Sequence, residues 1–579
     1  MKRIFVVLLM GLWVLSGCSS SSSDSNHMQS KSEDTSGNNS SSRDSDRDGL
    51  TDQEEAAIGT KPDVIDSDGD GLGDAEEVRL GFNPLTVDTN GDGKNDWAEY
   101  LNWEIIPCTP YTTYNYRRKG GTILHASVDT YDADYSTVGT PLYVAILKGT
   151  HYEMGYQLGY MLGYAIEDNY NIFVNFILSE LDAGDKAALL KPILESVVDL
   201  ITLKMSPYTP SIYFDEARGI ADGAKARAKS DSRTIDIDAL DIMRMVITAN
   251  VAELYIPETK VPWGKSYVVR TNPFQCSFFA AWGPRTEGGR LIATRNLDWN
   301  ADTGVAKYKL LTLYQPDDGI PYVTQGWAGF IGAIAGMNAK GICVSEIGSS
   351  NAEQTLQGTP WTLRLREVLR RGDNLANARK VFEEFPNTQG FNFMIADGDP
   401  DGWRGAHQDT GGYKPGAWAI ETNAKYTAFF GPNDPREDLA VYKGICYALK
   451  LENAVFRSDT AMDQDIRSTQ AASNGPAENK EDPDPTKSGA HRDRYVAQYE
   501  RLKAYADQGI KLTPREGVAI SKGVAMGCNV LSVVYAPTVG DFYVGYEKGG
   551  RATEEDDQWQ YAPVSRYERF NIFDLINQK

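Results

Sequence analysis

Apolar residues recur along this chain in two rhythms, and the change between them divides it. Over residues 151–171 they fall at helical spacing, with glycine recurring at 155, 159 and 163. Segments 185–206, 214–229 and 236–254 repeat the helical pattern, which brings one apolar face round every three or four positions. The recurring glycines predict close approach to a neighbouring helix. After Pro262 the texture turns to strands, predicted at 266–270, 277–283, 290–297, 307–314, 342–347, 391–396, 417–421, 426–430, 530–536 and 541–546. Helices interrupt them at 361–371, 374–385, 492–507 and 513–526. Such a sequence of elements predicts an α+β fold of layered sheets with helices outside. Residues 457–490 are polar and proline-rich and read as a surface loop.

The first hundred residues follow neither rhythm. Lys2 and Arg3 precede an apolar run from Ile4 to Leu15, too short to span a bilayer comfortably. It ends in Leu15-Ser16-Gly17-Cys18 and a serine run. This resembles a bacterial lipoprotein signal. The resemblance implies removal of residues 1–17, lipidation (palmitate) on Cys18 and attachment of the chain to a membrane. Ser19 after the cysteine implies the outer membrane of a bacterial cell envelope, on its periplasmic or surface face. Residues 18–43 have almost no apolar content and are expected to be a disordered tether.

Residues 44–100 hold three segments spaced by 22 residues, each reading Asp-x-[Asp/Asn]-x-Asp-Gly-x-x-Asp-x-x-Glu. They offer Asp44, Asp46, Asp48, Asp52 and Glu55; Asp66, Asp68, Asp70, Asp74 and Glu77; and Asp88, Asn90, Asp92, Asp96 and Glu99. Calcium takes six to eight oxygens around a tight loop, which alternating carboxylates, a turn glycine and a late glutamate supply. The pattern resembles thrombospondin type 3 repeats more than EF-hands, because the spacing leaves no room for flanking helices. The expected role is a spacer made rigid by structural Ca2+.

Charge sharpens this division. The net charge is −22, and residues 1–100 hold 8 Lys/Arg against 20 Asp/Glu, so the rest is only mildly acidic. That balance argues against nucleic acid as a partner. The chain has six cysteines, at 18, 108, 276, 343, 446 and 528, and five histidines, none in a metal-binding pair. No cofactor for catalysis is implied.

Cys276 begins a strand-like run, Ser277 to Trp282, followed by a turn near Thr286-Glu287-Gly288-Gly289 and a return strand carrying Arg295 and Asp298. A turn centred between residues 287 and 288 places Trp299 across from Cys276; one centred a residue later places residue 301 there. Strand alternation would put Arg295 and Asp298 on opposite faces, so serving one site requires a strand end or bulge near Asn296. A thiolate attacks carbonyls, and a nearby arginine lowers a thiol's pKa. A free α-amine titrates at about 7.7–8.0, a good value for a general base. Cleavage before Cys276 would give the nucleophile its own base, with Asp298 orienting the amine and Arg295 steadying the thiolate.

From Cys276 onward the chain resembles the cysteine N-terminal-nucleophile (Ntn) hydrolases, most closely the acyl-coenzyme A:6-aminopenicillanate (isopenicillin N) acyltransferase family. Choloylglycine hydrolase and acid ceramidase are relatives. The resemblance rests on Cys276, on Arg295-Asn296-Leu297-Asp298-Trp299, on Gly336 to Gly341, on Arg494-Tyr495-Val496, and on 529–535 with 541–546. Gly149 to Gly155 resembles the start of the family's pro-segment.

The family implies a four-layer αββα sandwich with a helical pro-segment over 105–275 (the α chain) and a catalytic segment over 276–579 (the β chain). It implies self-cleavage between Gln275 and Cys276, Cys276 as nucleophile, and Arg295 and Asp298 as its supporting pair. It further implies an oxyanion-donating asparagine, Asn433 with Asn392 as the alternative, and Arg494 (or Arg492) completing the site. The expected activity is hydrolysis, or acyl transfer, of a small-molecule N-acyl amide through an acyl-thioester. The competing expectation is a calcium-dependent surface binding lipoprotein that keeps the fold without catalysis.

Overall fold

The computed structural model describes residues 43–101, 123–125, 142–180, 184–251, 254, 259–260, 266–267, 275–299, 303–406, 412–442, 445–470, 490–525, 528–547, 561–565 and 567–577. The signal, Cys18 and nearly all of the tether lie outside these residues, as do 471–489 and the side chain of Arg492. None of the described helices is long and apolar enough to cross a membrane.

Fifteen strands build two stacked sheets. In chain order they are β1 (Ile123–His125), β2 (Tyr143–Gly149), β3 (Gln275–Gly283), β4 (Gly289–Asp298), β5 (Lys309–Pro316), β6 (Tyr322–Trp327), β7 (Ala335–Asn338) and β8 (Ile342–Gly348). They continue with β9 (Phe391–Asp397), β10 (Gly416–Thr422), β11 (Thr427–Phe430), β12 (Ala454–Arg457), β13 (Asn529–Ala536), β14 (Asp541–Tyr546) and β15 (Glu568–Asn571). One sheet runs β1-β2-β5-β6-β7-β8-β9-β10-β11 and is antiparallel except where β2 meets β5. The other runs β12-β3-β4-β13-β14-β15 and is antiparallel throughout.

Among the helices are α1 (Asp52–Ile58), α2 (Asp74–Leu80), α3 (Asp96–Leu101), α4 (His151–Glu180), α5 (Ala187–Met205) and α6 (Ile212–Ser230). After them come α7 (Ala239–Val251), α8 (Trp361–Arg371), α9 (Leu375–Glu384), α10 (Ala490–Asp507) and α11 (Pro514–Gly523). Strand β3 lies against β8, β9 and β10 of the opposite sheet. Helices α8 and α9 cover the outer face of the larger sheet, and α10 and α11 cover β12, β3, β4 and β13. The order of layers is therefore helix, sheet, sheet, helix. Strands buried on both faces need continuous apolar runs rather than alternation, and all eight residues of β13 are buried.

The glycines of α4 do what their spacing predicts. A Cβ at Gly155 or Gly159 would run into the backbone of Glu216 or Ile220, and Gly219 and Gly223 of α6 face Tyr152 and Tyr156 in return. The two helices thus pack backbone to backbone, and α4 extends to Glu180, beyond the predicted 171. A buried ion pair fastens α6 to α8: Arg366 Nη1 and Nη2 each lie 2.9 Å from a Glu216 oxygen. His151 Nδ1 adds a contact to Glu216 at 3.1 Å.

Two expectations need correction. The calcium repeats do carry helices, α1 to α3, each starting at the second-last acidic position of its motif so that the late glutamate sits in its first turn. The segment 457–463 is not a surface loop: Arg457 to Met462 are all buried between the layers.

Candidate active site

The β3–β4 hairpin sets the geometry. Cys276 pairs with Leu297 and Phe278 with Arg295, not with residue 299 or 301 opposite the cysteine. The turn closes tighter than predicted. Gly289 N–H donates to Thr286 O, Gly283 pairs with Gly289, and the register slips after Ala281. Gly288 and Gly289 have φ of 63° and 75°, which residues with a Cβ rarely adopt.

Opposed residues share a face, so Cys276, Phe278, Arg295 and Leu297 point between the sheets. Ser277, Asn296 and Asp298 point toward the helices, and the Asn296 amide donates to Ser521 O of α11. Arg295 and Asp298 do lie on opposite faces. The required irregularity is in the neighbouring strand: β13 skips a residue between Asn529 and Leu531 beside Asp298, the last residue of β4.

Two arginines divide the work around one residue. On the sulfur side, Arg295 Nη1 donates to Cys276 Sγ at 3.2 Å and to Asn296 O at 2.6 Å. Its Nη2 lies 3.3 Å from Glu346 Oε2 of β8. Burial pushes the Cys276 thiol far up, with Arg295 pulling it down and Glu346 and Asp298 adding to the rise. Burial also pushes Glu346 up to about 8 against the pull of Arg295.

On the nitrogen side, Cys276 N–H donates to Asp459 Oδ1 at 3.4 Å. Asp459 is placed by β12, which pairs Ala454 to Arg457 with Ala281 to Phe278. Arg494 of α10 reaches Asp459 Oδ2 through Nη2 at 2.5 Å and Asp298 Oδ2 through Nη1. Although burial opposes its charge, Asp459 and Asp298 push the Arg494 guanidinium up. The Asn529 amide donates to the other oxygen of Asp298.

The structure therefore brings Cys276, Arg295, Asp298 and Arg494 together and adds Glu346, Asp459 and Asn529. Asn433 stands apart: it is exposed, in a left-handed conformation with φ of 55°, and its amide donates to Glu452. The alternative, Asn392, is buried on β9 and donates to Ser458 O at 2.7 Å, one residue from Asp459.

A pocket lies beside Leu297, the cross-strand partner of Cys276. It is lined by Leu297 of β4, Trp299, Trp327 of β6 and Glu346 of β8, and by Phe173 of α4 and Met245 of α7. Its wall is apolar and aromatic apart from Glu346 and Asn169, so it suits an apolar group.

The acidic repeats converge unevenly. Asp66, Asp68, Asp70 and Glu77 place one oxygen each within 4.8 Å of one another, as do Asp44, Asp46 and Asp48. Glu77 is wholly buried with neither oxygen hydrogen-bonded among the described residues. Burial pushes Glu77 up to about 9, Asp66 to about 7 and Asp70 to about 6. Buried carboxylates packed this closely fit a hard cation such as calcium, which keeps them ionised.

Three of the expected ligands are otherwise engaged. Asp52, Asp74 and Asp96 each accept a backbone N–H and a hydroxyl hydrogen, from Ser45, Ser67 and Thr89. They brace the loop entrance. In the third repeat, Asn90 donates its amide to Glu99 at 2.7 Å. Among the described residues Asp88, Asp92 and Glu99 form no such cluster.

Similarity to known proteins agrees with these two parts. Residues 285–401 match the acyl-coenzyme A:6-aminopenicillanic acid acyl-transferase family, and 44–62 and 66–86 match the bacterial TSP3 repeat. An uncharacterized protein of Archaeoglobus fulgidus is 26% identical over 264 residues, 45% of this chain and 42% of that one. Protein dcd1A of Dictyostelium discoideum is 23% identical over 253 residues, 40% of this chain and 50% of that one. The chain thus spans half or less of the length of the curated relatives it matches. Among solved structures, the Caenorhabditis elegans N-acylethanolamine-hydrolyzing acid amidase ortholog superposes with a TM-score of 0.31 at 13% identity, over 51% of this chain and 99% of that one. Behind two segments similar to the bacterial TSP3 repeat, residues 285–401 are thus similar to the acyl-coenzyme A:6-aminopenicillanic acid acyl-transferase family, with Cys276 nine residues upstream of the match.

Proposed function

We propose that this chain is a cysteine Ntn hydrolase that cuts itself before Cys276 and then hydrolyses an N-acyl amide with an apolar acyl group. One observation carries the reading: the sulfur of Cys276 meets Arg295 while its nitrogen meets the Asp459–Arg494–Asp298 relay.

In the uncut chain, Cys276 Sγ attacks the Gln275 carbonyl. The Gln275–Cys276 C–N bond breaks, the thiol proton ends on the departing nitrogen, and water hydrolyses the Gln275 thioester. The freed α-amine is then the base for the same sulfur. It takes the thiol proton, and the thiolate attacks the substrate carbonyl. The resulting ammonium, held by Asp459 and Asp298, returns that proton to the leaving amine. Water, deprotonated by the amine, releases the acid from the thioester. Burial holds the Cys276 thiol protonated, so turnover on a substrate waits for the α-amine that the cut sets free.

The apolar cavity beside Leu297 takes the acyl group. In the repeats, Asp44, Asp46 and Asp48 and Asp66, Asp68, Asp70 and Glu77 hold calcium. Cys18 carries the lipid that attaches the chain to the bacterial cell envelope. Metabolic labelling with a palmitate analogue tests that attachment, and Cys18→Ala should stay unlabelled.

The deciding experiment is intact-mass analysis of purified protein. Two fragments meeting at 275/276 are expected, with a single uncut chain in Cys276→Ala. Cutting at that bond in Cys276→Ala would sink the mechanism.

A further inference from the structure

We propose that calcium in the second repeat locks the repeats onto helices α5 and α6, so that the repeats are a calcium-dependent brace and not a spacer. This rests on the calcium reading above, and its test separates the two.

The loop from Asp66 to Glu77 has an inner and an outer side. Inside, Asp66 spends its oxygens on the N–H groups of Gly69 and Gly71 while staying within the four-carboxylate cluster. The side chain of Glu77 is 0% exposed, neither of its oxygens has a hydrogen-bond partner among the described residues, and one of them lies in that cluster. Four like charges at this separation repel strongly in a desolvated site. The closed loop is therefore the form a divalent cation selects.

The outer side of the same closed loop is an interface. Gly71 O accepts from Ser206 Oγ at the end of α5. A Cβ at Gly71 would collide with Leu203, so the loop backbone lies directly on the pro-segment. Asp70, a member of the cluster, also accepts Trp97 N–H at 3.1 Å, which carries the second loop's shape into α3. There Tyr100 O accepts from Arg218 Nη1 at 2.6 Å, and the Arg218 guanidinium sits 4.2 Å from the Tyr100 ring centre. From the first repeat, Arg47 Nη1 donates to Glu383 O of α9 at 3.0 Å, which reaches the catalytic segment.

Opening the loop would release Leu203, Ser206 and Arg218 together. The effect would be felt at the acyl cavity. Asp199 of α5 pairs with Arg244 of α7 at 2.6 Å, and the next residue, Met245, lines that cavity.

The test is hydrogen exchange with mass spectrometry on the full chain, in calcium and in EGTA, beside calorimetric titration with calcium. A ligand that binds only the closed form scales the opening constant by 1 + [L]/Kd. At calcium of 100 times Kd, peptides over 203–218 should therefore exchange about 100-fold more slowly than in EGTA. Glu77→Gln should abolish that protection and remove one bound calcium, whereas Asp92→Asn, in the third repeat, should change neither. Calcium binding that protects only 44–100 and leaves 203–218 unchanged in the unsubstituted chain would overturn the brace and restore a spacer. No calcium binding at all would overturn the calcium reading, and the brace with it.

Discussion

Glu346 is the sharpest quantitative test of the site. It is wholly buried between the sheets, 3.3 Å from Arg295, and burial holds it near 8 where an ordinary glutamate titrates at 4.5. The sign follows from linkage. Below about pH 4.5 the carboxyl is protonated in folded and unfolded chains alike, and stability is undiminished. As pH rises, the unfolded chain ionises first, so the folded chain loses ground until about pH 8. Each decade of displacement is worth about 1.4 kcal/mol, which makes the whole swing on the order of 5 kcal/mol, most of it falling between pH 5 and pH 9. Glu346→Gln keeps the shape and cannot titrate. In urea unfolding of the uncut Cys276→Ala chain, the variant should gain on its parent by roughly that amount between pH 5 and pH 9. A constant gap between the two across that range would refute the protonated carboxyl, and with it the picture of an uncharged wall beside the thiol.

Three further outcomes follow from other contacts. Arg494→Met strands the carboxylates of Asp298 and Asp459 in a buried site. It should cost about 3–5 kcal/mol, visible as a lowered thermal midpoint, and should block the cut before Cys276. Gly159→Leu drives a side chain into the Ile220 carbonyl. It should destabilise by about 1–3 kcal/mol or more, read as a lower urea midpoint. Asn433→Ala removes an exposed amide held by Glu452, so kcat/KM should stay within about twofold, whereas loss of a true oxyanion donor costs about 10²–10³.

What the sequence disclosed depended on the range of the interaction. The hairpin carrying Cys276, Arg295 and Asp298 was legible because its strands are neighbours in the chain. Its register was not, because Gly288 and Gly289 allow a tighter turn than symmetric counting assumes. Strand β12 was invisible: it is four residues long, follows the left-handed Asn453, and opens a segment whose later part is polar. With it went Asp459, which reaches Cys276 across 183 residues of chain. Glu346 did leave a signal, since it is the one charged residue in the run Ile342 to Gly348. A lone carboxylate in a strand buried on both faces needs a partner, and that partner is Arg295.

The two faces of β3 explain why so much of the site is carboxylate and arginine and so little is histidine. In the mechanism proposed above, a nucleophile that supplies its own base must keep sulfur and nitrogen within one residue, yet the two atoms want different surroundings. The sulfur needs a cation to favour thiolate and a dry wall for the acyl group, and it finds Arg295 and the cavity lined by Leu297 and Trp299. The nitrogen needs anionic acceptors to hold an ammonium between proton transfers, and it finds Asp459, with Asp298 joined through Arg494. Were both carboxylates on the sulfur side, they would raise the thiol further and undo the work of Arg295. Strand alternation keeps them apart. Cys276 alone touches both groups, so a substitution at Arg295 should weaken acyl-enzyme formation, while Asp459→Asn should shift the acid limb of the pH profile to lower pH by making the amine less basic.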